Sequence, residues 1–381
     1  MPFGSPALPP AGKPGYDKDG ALGRARPKDA FGTIHPSPPV KAKRSRSPFS
    51  YCLGLDVSKA KLDFCLLNTS CDILARGQVA NDETGFARLW AVLRRVQVDP
   101  ARVRFVLEAT GVYSRRLVEF LHAQGAAVAV VNPAQIKYFG VACLRRSKND
   151  TADAFLIARY GLERRPVPER PLTAAERDLK ALVREREARA DDLTREKNRL
   201  EKDQAQGLAT LPEALRRQRA LRLKQLQRQL DELDAAIAAQ LEADPDLKAQ
   251  AALLTSIPGI GTVTAAKLLA LLAGKAFEHG RQLVAYAGLN PAHHQSGIRR
   301  GLTTLSKVGP ALLRKALFMP AAVARRFCPT LKAWADGLAT RGLKPLQVRA
   351  AVMRKLLLAA FAVFKHHTPF DPTKLCLPQT P

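Results

Sequence analysis

The sequence predicts an α/β domain, then a long helical hairpin, then a mostly helical C-terminal region. Three observations predict this order. Short apolar runs rich in β-favouring residues alternate with helical patterns from residue 50 to about residue 165. A highly charged stretch with leucines at steps of three and four continues to about residue 250. Beyond it the chain is apolar again and keeps helical periodicity.

Composition limits the class of protein. The 381 residues, 46% of them apolar, are enough for two or three domains with real cores. The 61 basic and 34 acidic residues give a net charge of +27, which favours a polyanion such as nucleic acid as partner. Charge alone leaves a ribosome-associated or merely alkaline protein open. The six cysteines have no paired spacing, and neither a signal peptide nor an apolar run of ~18 residues is evident, so we expect reduced thiols in a cytoplasm and no membrane partner.

Residues 1–49 are rich in Pro, Gly, Lys and Arg and have little apolar periodicity. Such a segment cannot bury enough apolar surface to fold alone, so we expect a disordered basic tail. Its basic cluster, Lys41–Arg46, either touches phosphates or is simply solvated.

Residues 50–165 predict three antiparallel strands followed by alternating helices and strands. The expected strands are Tyr51–Asp56, Lys61–Leu67, Ile73–Val79, Val103–Leu107 and Ala127–Val131, and the expected helices are Phe86–Val96, Tyr113–Ala123 and Pro133–Phe139. This order describes a ribonuclease-H-like α/β sheet. In that arrangement the strands that end at Asp56 and Glu108 are neighbours.

Four carboxylates of this domain are expected to converge. Asp56 and Glu108 end apolar strands, whereas Asp150 and Asp153 begin a helical pattern and share one face of it. Four acids in one place repel each other unless a cation lies between them. Oxygen ligands without His or Cys suit Mg²⁺ or Mn²⁺, and such a site is typical of two-metal phosphodiester cleavage.

Residues 166–250 predict two long helices that form an antiparallel hairpin or coiled coil. The prolines near residue 168 mark a linker before them, and residues 207–212 interrupt the helical run. The hairpin serves either as intramolecular support or as a dimerisation element, and the sequence leaves both open.

Residues 251–381 begin with a helix, a glycine turn and a second helix, which is the helix-hairpin-helix pattern. Gly259 and Gly261 allow close backbone approach, and the N–H groups at the start of the second helix can bind a phosphate. A plain turn between two helices is the alternative.

A loop with His293, His294 and Ser296 follows, and then a basic stretch. On spacing alone Ser296 is an ordinary loop serine, and the histidines are either exposed or act as a base or phosphate ligands. The residues expected to bind nucleic acid are Gly259, Gly261, Arg299, Arg300, Lys307 and Arg314.

Taken together, these motifs resemble the DEDD transposases of the insertion sequence 110 family, which includes the Piv DNA invertases. The N-terminal resemblance rests on Gly54–Lys59, Leu107–Tyr113 and Lys148–Ala154, and the C-terminal one on Ile257–Gly261, Tyr286–Pro291, Gln295–Gly297 and Lys307–Arg314. The motifs cover about residues 51–370 in the family's order. Pro310 stands where the family often has Asn.

The resemblance implies a RuvC-like domain in which Asp56, Glu108, Asp150 and Asp153 bind the metal and a C-terminal domain in which Ser296 is the nucleophile. It implies a recombinase that moves an insertion sequence through a circular intermediate, with DNA (element ends and target) and a guide RNA as partners. It also implies a homo-oligomer, a dimer or tetramer, in which the serine of one protomer meets the acids of another. We therefore expect a bacterial, cytoplasmic, nucleoid-associated enzyme.

Two other functions remain as alternatives. A Holliday-junction-type nuclease would use the same acids with water instead of Ser296. A non-catalytic nucleic-acid-binding protein would use only the glycine hairpin and the basic faces, but it would not need four acids. A covalent phosphoserine conserves bond energy, and the absence of a Walker-type motif agrees with strand exchange without ATP.

Overall fold

The computed structural model describes residues 48–109, 111, 113–143, 150–205, 212–292, 295–296, 299–300 and 303–375. Of residues 150, 151, 295, 296, 299, 300 and 375 it describes the backbone only. The predicted N-terminal tail lies outside the described residues, apart from residues 48 and 49.

A five-stranded mixed sheet forms the N-terminal part, in the order β3-β2-β1-β4-β5. Its strands are β1 (Tyr51–Val57), β2 (Lys61–Asn68), β3 (Ile73–Ala80), β4 (Val103–Glu108) and β5 (Ala127–Val131). The first three are antiparallel, and β4 and β5 run parallel to β1. The predicted meander and the predicted pairing of β1 with β4 are confirmed.

Helices cover both faces of this sheet, which explains why β1, β2 and β4 are apolar on both sides. They are α1 (Glu83–Arg95), α2 (Arg115–Ala123), α3 (Pro133–Ala142) and α4 (Asp150–Arg164). Apolar side chains of α1 and α2 pack on one face, and those of α3 and α4 pack on the other. Asp82 caps α1 by accepting a hydrogen bond from the Gly85 N–H, and Asn132 caps α3 in the same way.

The crossing of α4 over β1 is unusually close. A Cβ atom at Gly54 would overlap the backbone of Ala154 and Ala158, and one at Gly161 would overlap the Cys52 side chain. Since Gly54 meets the first half of α4 while Cys52 meets the second, α4 runs antiparallel to β1. The first turn of α4 therefore lies beside the C-terminal end of β1.

Two long helices, α5 (Ala174–Ala205) and α6 (Glu213–Ala243), pack against each other. Leu193 of α5 is buried with Leu226 and Leu230 in the middle of α6, whereas Leu179, earlier in α5, is buried with Ile237 and Leu241 near the end of α6, so the pair is antiparallel. The predicted pair of long helices is confirmed, while coiled-coil geometry stays a prediction. The base of the pair belongs to the same hydrophobic core as the C-terminal helices.

The C-terminal part is largely helical, as predicted. Its helices are α7 (Pro245–Thr255), α8 (Thr262–Leu272), α9 (Gly280–Tyr286), α10 (Ala311–Phe327), α11 (Pro329–Thr340) and α12 (Pro345–His366). None of the helices in the described part of the chain is long and apolar enough to cross a membrane.

A buried carboxylate ties α5 to this helical part. Glu187 of α5 is 5% exposed and forms ion pairs with Lys267 of α8 and Lys315 of α10. Burial alone would raise the pKa of Glu187, but the two lysines outweigh it and lower that pKa. The glutamate is therefore ionised at neutral pH, and α5 is held on the face of α8 and α10.

Candidate active site

The C-terminal ends of β1 and β4 bring two of the predicted acids together. The parallel register pairs Leu55 with Leu107, so Asp56 and Glu108 follow one residue later on neighbouring strands. Neighbouring strands lie about 4.8 Å apart. Asp56 is two residues from Gly54 and therefore projects to the same face, the one covered by α4. Both acids are half-buried.

The first turn of α4 lies at the same end of the sheet. Asp153 is half-buried and directly precedes Ala154, which lies against Gly54. Asp150 is the first residue of α4. The "acid edge" denotes this region, Asp56, Glu108, Asp150 and Asp153.

The metal assignment at the acid edge stays a prediction. Among the described side chains, no group of three or more His, Cys, Asp or Glu is close enough to hold a metal ion. The side chain of Asp150, the fourth acid of the predicted set, lies outside them. The donor chemistry, carboxylate oxygen only, fits a hard divalent cation.

Sequence reasoning missed a further acid next to this edge. Asp63 of β2 is paired directly with Asp56 in the antiparallel register and is 6% exposed. The Gln78 amide donates to it at 3.1 Å, and the Lys61 ammonium lies 3.4 Å from it. Facing acids on adjacent strands repel each other, so Asp63 adds to the need for positive charge at the acid edge. The sequence signal that could have identified Asp63 is a single carboxylate inside an otherwise apolar strand, β2.

Ser296 lies in a segment whose two arms pair with each other. Strands β6 (Pro291–Ala292) and β9 (Thr304–Leu305) form one antiparallel pair, and β7 (Gln295–Ser296) and β8 (Arg299–Arg300) form the next. The "serine finger" denotes the described residues of these four strands, 291–292, 295–296, 299–300 and 304–305. Ser296 pairs with Arg299 in the second strand pair. His293 and His294 lie outside the described residues.

The base of the serine finger is held by backbone contacts that require glycine. Gly288 and Gly309 both have positive φ, and a Cβ at Gly309 would overlap the carbonyl of Tyr286. Arg314 of α10 donates from one guanidinium nitrogen to the carbonyls of Ala287 at 3.0 Å and Gly309 at 3.1 Å. Arg314, predicted to bind nucleic acid, thus has a structural contact, while Lys307 is exposed and has no charged partner among the described residues.

The two glycines of the predicted helix-hairpin-helix have different surroundings. Gly259 has φ +86°, and a Cβ there would meet the Pro320 carbonyl of α10. Gly261 is exposed at the start of α8, and a Cβ there would meet nothing within 4 Å. Close packing explains Gly259, whereas Gly261 leaves the first N–H groups of α8 accessible. Phosphate binding by this turn stays a prediction.

Two family models and a relative of similar length match this chain. A family model for IS110-type DEDD enzymes, described as Transposase, matches residues 53–206, and a model described as Transposase IS116/IS110/IS902 family matches residues 251–335. A pilin gene-inverting protein of Moraxella lacunata is 31% identical over 327 residues, which cover 84% of this chain and 97% of that protein. The chain belongs to the IS110 family of transposases. It is a DNA transposase or recombinase.

Further proteins are similar to parts or most of this chain. A pilin gene-inverting protein of Moraxella bovis matches with the same identity and coverage. An insertion element IS110 protein of Streptomyces coelicolor is 31% identical over 36% of this chain and 34% of its own length. Among solved structures, Thermus thermophilus RuvC in complex with a Holliday junction substrate covers 31% of this chain and 98% of its own, with a TM-score of 0.24 and 16% identity.

The two family models place the acid edge and the serine finger in separate parts of this transposase. All four acids fall within residues 53–206, and Ser296 with the base of its finger falls within residues 251–335. The predicted family is confirmed, and the roles of the individual residues remain to be tested.

Proposed function

We propose that this transposase exchanges DNA strands with Ser296 as nucleophile and with a divalent metal, Mg²⁺ or Mn²⁺, at Asp56, Glu108, Asp150 and Asp153. The placement of Ser296 carries the proposal. Its backbone lies in a short strand pair, opposite Arg299, and the base of this segment is fixed by glycines and Arg314. Arg299 next to Ser296 supports a role at a phosphate.

In the proposed reaction the Ser296 hydroxyl oxygen forms a bond to the scissile phosphorus, and the bond from phosphorus to the leaving strand breaks. The serine proton passes to solvent, and the leaving strand end takes up a proton as a free hydroxyl. The reverse attack by a new strand end restores the serine and joins the DNA. A metal held by the acids would stabilise charge on the phosphate oxygens.

The proposal also includes three partners, namely DNA, a guide RNA and further copies of this chain. DNA ends and target would lie between the acid edge and a serine finger, with Gly261, Arg299, Arg300 and Lys307 as phosphate contacts. Gly259 contributes only by shaping the turn. A guide RNA would choose the sites, and pairing of one protomer's finger with another's acid edge would require a dimer or tetramer. Such an enzyme acts at the nucleoid.

A covalent-trapping experiment tests the nucleophile. DNA taken from the flanks of the gene is nicked close to the expected cleavage site, so that the leaving fragment diffuses away. Wild-type protein should give a DNA-linked band that survives denaturation, with the modified peptide containing Ser296. Ser296→Ala should bind DNA but form no band, whereas Ser306→Ala, at the base of the same segment, should behave like wild type.

The outcome separates this mechanism from a water-dependent nuclease. If Ser296→Ala still cuts and rejoins DNA at a comparable rate, the serine is not the nucleophile. Cleavage without any covalent band and without rejoining would favour hydrolysis by water at the acid edge.

A further inference from the structure

A cavity of about 520 Å³ lies where α2, the segment 169–172, the start of α5 and the end of α8 meet. This size is within the range of ligand-binding cavities. The segment 169–172 forms one wall because the Glu169 N–H donates to the Val128 carbonyl of β5 at 2.7 Å and the Arg170 N–H to the Gly274 carbonyl at 3.0 Å. These bonds fix the cavity between the sheet and the helical part.

The lining of this "basic cavity" carries more positive than negative charge. Its basic residues are Arg115, Arg170, Arg177, Lys180, Arg184 and Lys275, and its acidic residues are Glu119 and Glu169. Three of the six have carboxylate partners: Arg115 pairs with Glu119, Lys275 with Glu169, and Arg170 with Glu176 outside the lining. Arg177 donates to the Leu172 carbonyl.

Lys180 and Arg184 remain without a counter-charge in contact. They lie one turn apart on α5, and neither has an ion pair or hydrogen bond within the part of the chain that the structure describes. Burial and the neighbouring charges of Lys275 and Arg184 lower the pKa of Lys180. The carboxylates of Glu169 and Glu176 act on Lys180 from a distance, and Arg184 is exposed, so both cations are accessible to an anion that enters between them.

A neutral hydrogen-bonding group faces the same space. His122 of α2 lines the cavity, and its Nε2 is buried without a hydrogen-bond partner among the described residues. Burial lowers the pKa of His122, so the ring is neutral at pH 7. A neutral imidazole carries one N–H, and the Glu169 backbone hydrogen-bonds this ring, so Nε2 would donate to a bound phosphate only when His122 is protonated, which a neighbouring anion favours.

The cavity also lies close to the acid edge. Ala109 and Gly111 belong to its lining, and Ala109 directly follows Glu108 at the end of β4. Val118 and Val130 of the lining pack on the sheet face that α2 covers, so the cavity adjoins the end of β4 from the face opposite to the one that α4 covers. The exposed side chains of Arg115 and Arg184 keep that mouth accessible.

We infer that the basic cavity binds a backbone phosphate of nucleic acid through Lys180 and Arg184. The inference rests on the proposed function in that the polyanion is nucleic acid. The shared chemistry, a phosphodiester, comes either from the DNA substrate or from an RNA partner.

Binding as a function of salt tests the inference. Fluorescence anisotropy is measured with labelled duplex DNA and, separately, with labelled structured RNA from the flank of the gene. Lys180→Ala/Arg184→Ala should weaken binding to at least one probe by about tenfold and reduce the slope of log affinity against log salt by roughly 0.9, the value for one phosphate contact. Arg88→Ala/Lys224→Ala removes the same charge from exposed positions and should change neither.

A second measurement needs no variant. Amine acetylation followed by peptide mass spectrometry reports how accessible each lysine is, and saturating nucleic acid should protect Lys180 but not the exposed Lys224. The probe that loses affinity in the double variant and protects Lys180 identifies the source of the phosphate.

Two results would overturn the inference. One is a double variant, folded by circular dichroism, that keeps wild-type affinity and salt slope with both probes. The other is unchanged acetylation of Lys180 in the complex. Wild-type protein that binds neither probe would instead contradict the proposed function, so the two failures are distinguishable.

Discussion

The carboxylates of the acid edge lie on long elements packed on both sides, whereas Ser296 lies on a two-residue strand. Asp56 lies in β1, which is paired with β2 over its whole length and with β4 up to Leu55, and α4 crosses β1 at van der Waals distance. The serine finger has paired arms, but its fixed points are at its base, around Gly288, Gly309 and Arg314.

This difference follows from what each part is proposed to do. Metal ligands must keep their mutual distances in every step, and packed strands and helices hold such distances best. A nucleophile that attacks a phosphate must approach its substrate, and a serine on a short strand outside the packed core suits that approach. The comparison predicts that substitutions at the acid edge slow the chemical step, while those at the base of the serine finger change the position of Ser296.

Removal of one acid should have the largest effect. Asp56→Asn keeps the shape of the side chain but removes a charge from the metal site, so DNA cleavage should fall roughly a thousandfold or more. DNA binding and the unfolding transition should stay near wild type, because the substitution relieves repulsion with Asp63. Cleavage is followed on labelled DNA with Mg²⁺, with Mn²⁺ and in EDTA. Cleavage in EDTA at the wild-type rate would show that no metal acts there.

Gly54→Ala tests whether packing sets the positions of the acids. The new Cβ would overlap the backbone of Ala154 and Ala158, so α4 must shift, and its first turn carries Asp150 and Asp153. We expect a loss of about 3 kcal/mol in the free energy of unfolding, measured in urea, and a loss of cleavage without any change in the acids themselves.

Gly337→Ala is the matched control for that prediction. Its Cβ would meet nothing within 4 Å, and it lies inside α11. Alanine is the better helix former, so this variant should be more stable by about 0.5–1 kcal/mol. If Gly54→Ala behaves like Gly337→Ala, the close crossing of α4 and β1 does not position the acids.

Much of the acid edge could be predicted from sequence because its signals are local. A short apolar run that ends in an acid marks Asp56 and Glu108, and a spacing of three marks Asp150 and Asp153. Asp63 was missed although its strand pattern was visible, since an acid inside a buried strand gains meaning only when its neighbour across the sheet is known.

Contacts between distant segments account for what the sequence could not reveal. The position of Gly259 is explained by Pro320, some sixty residues away, and the basic cavity collects residues from four separate parts of the chain. The periodicity of a sequence does not indicate contacts between segments that are far apart along the chain. The same limit applies to Arg314. Its sequence context resembles that of exposed basic residues, but its guanidinium group donates hydrogen bonds to two carbonyl groups.

The smallest expected effects on stability and activity are those of substitutions at Arg314 and Lys307. Arg314→Met keeps the apolar stem but removes the donors to Ala287 and Gly309, which leaves two partly buried carbonyls unsatisfied. The free energy of unfolding should drop by about 2 kcal/mol. Strand exchange should fall because the finger base loosens, while the salt dependence of DNA binding should stay that of wild type.

Lys307→Met provides the contrast within the same region. Lys307 is exposed and has no charged partner among the described residues, so its loss should leave the unfolding free energy within about 0.5 kcal/mol. If it contacts a phosphate, the salt slope of binding should fall by about 1. Should Arg314→Met instead keep full stability and lower the slope by that amount, Arg314 would be a phosphate ligand, and the finger base would need another explanation for its rigidity.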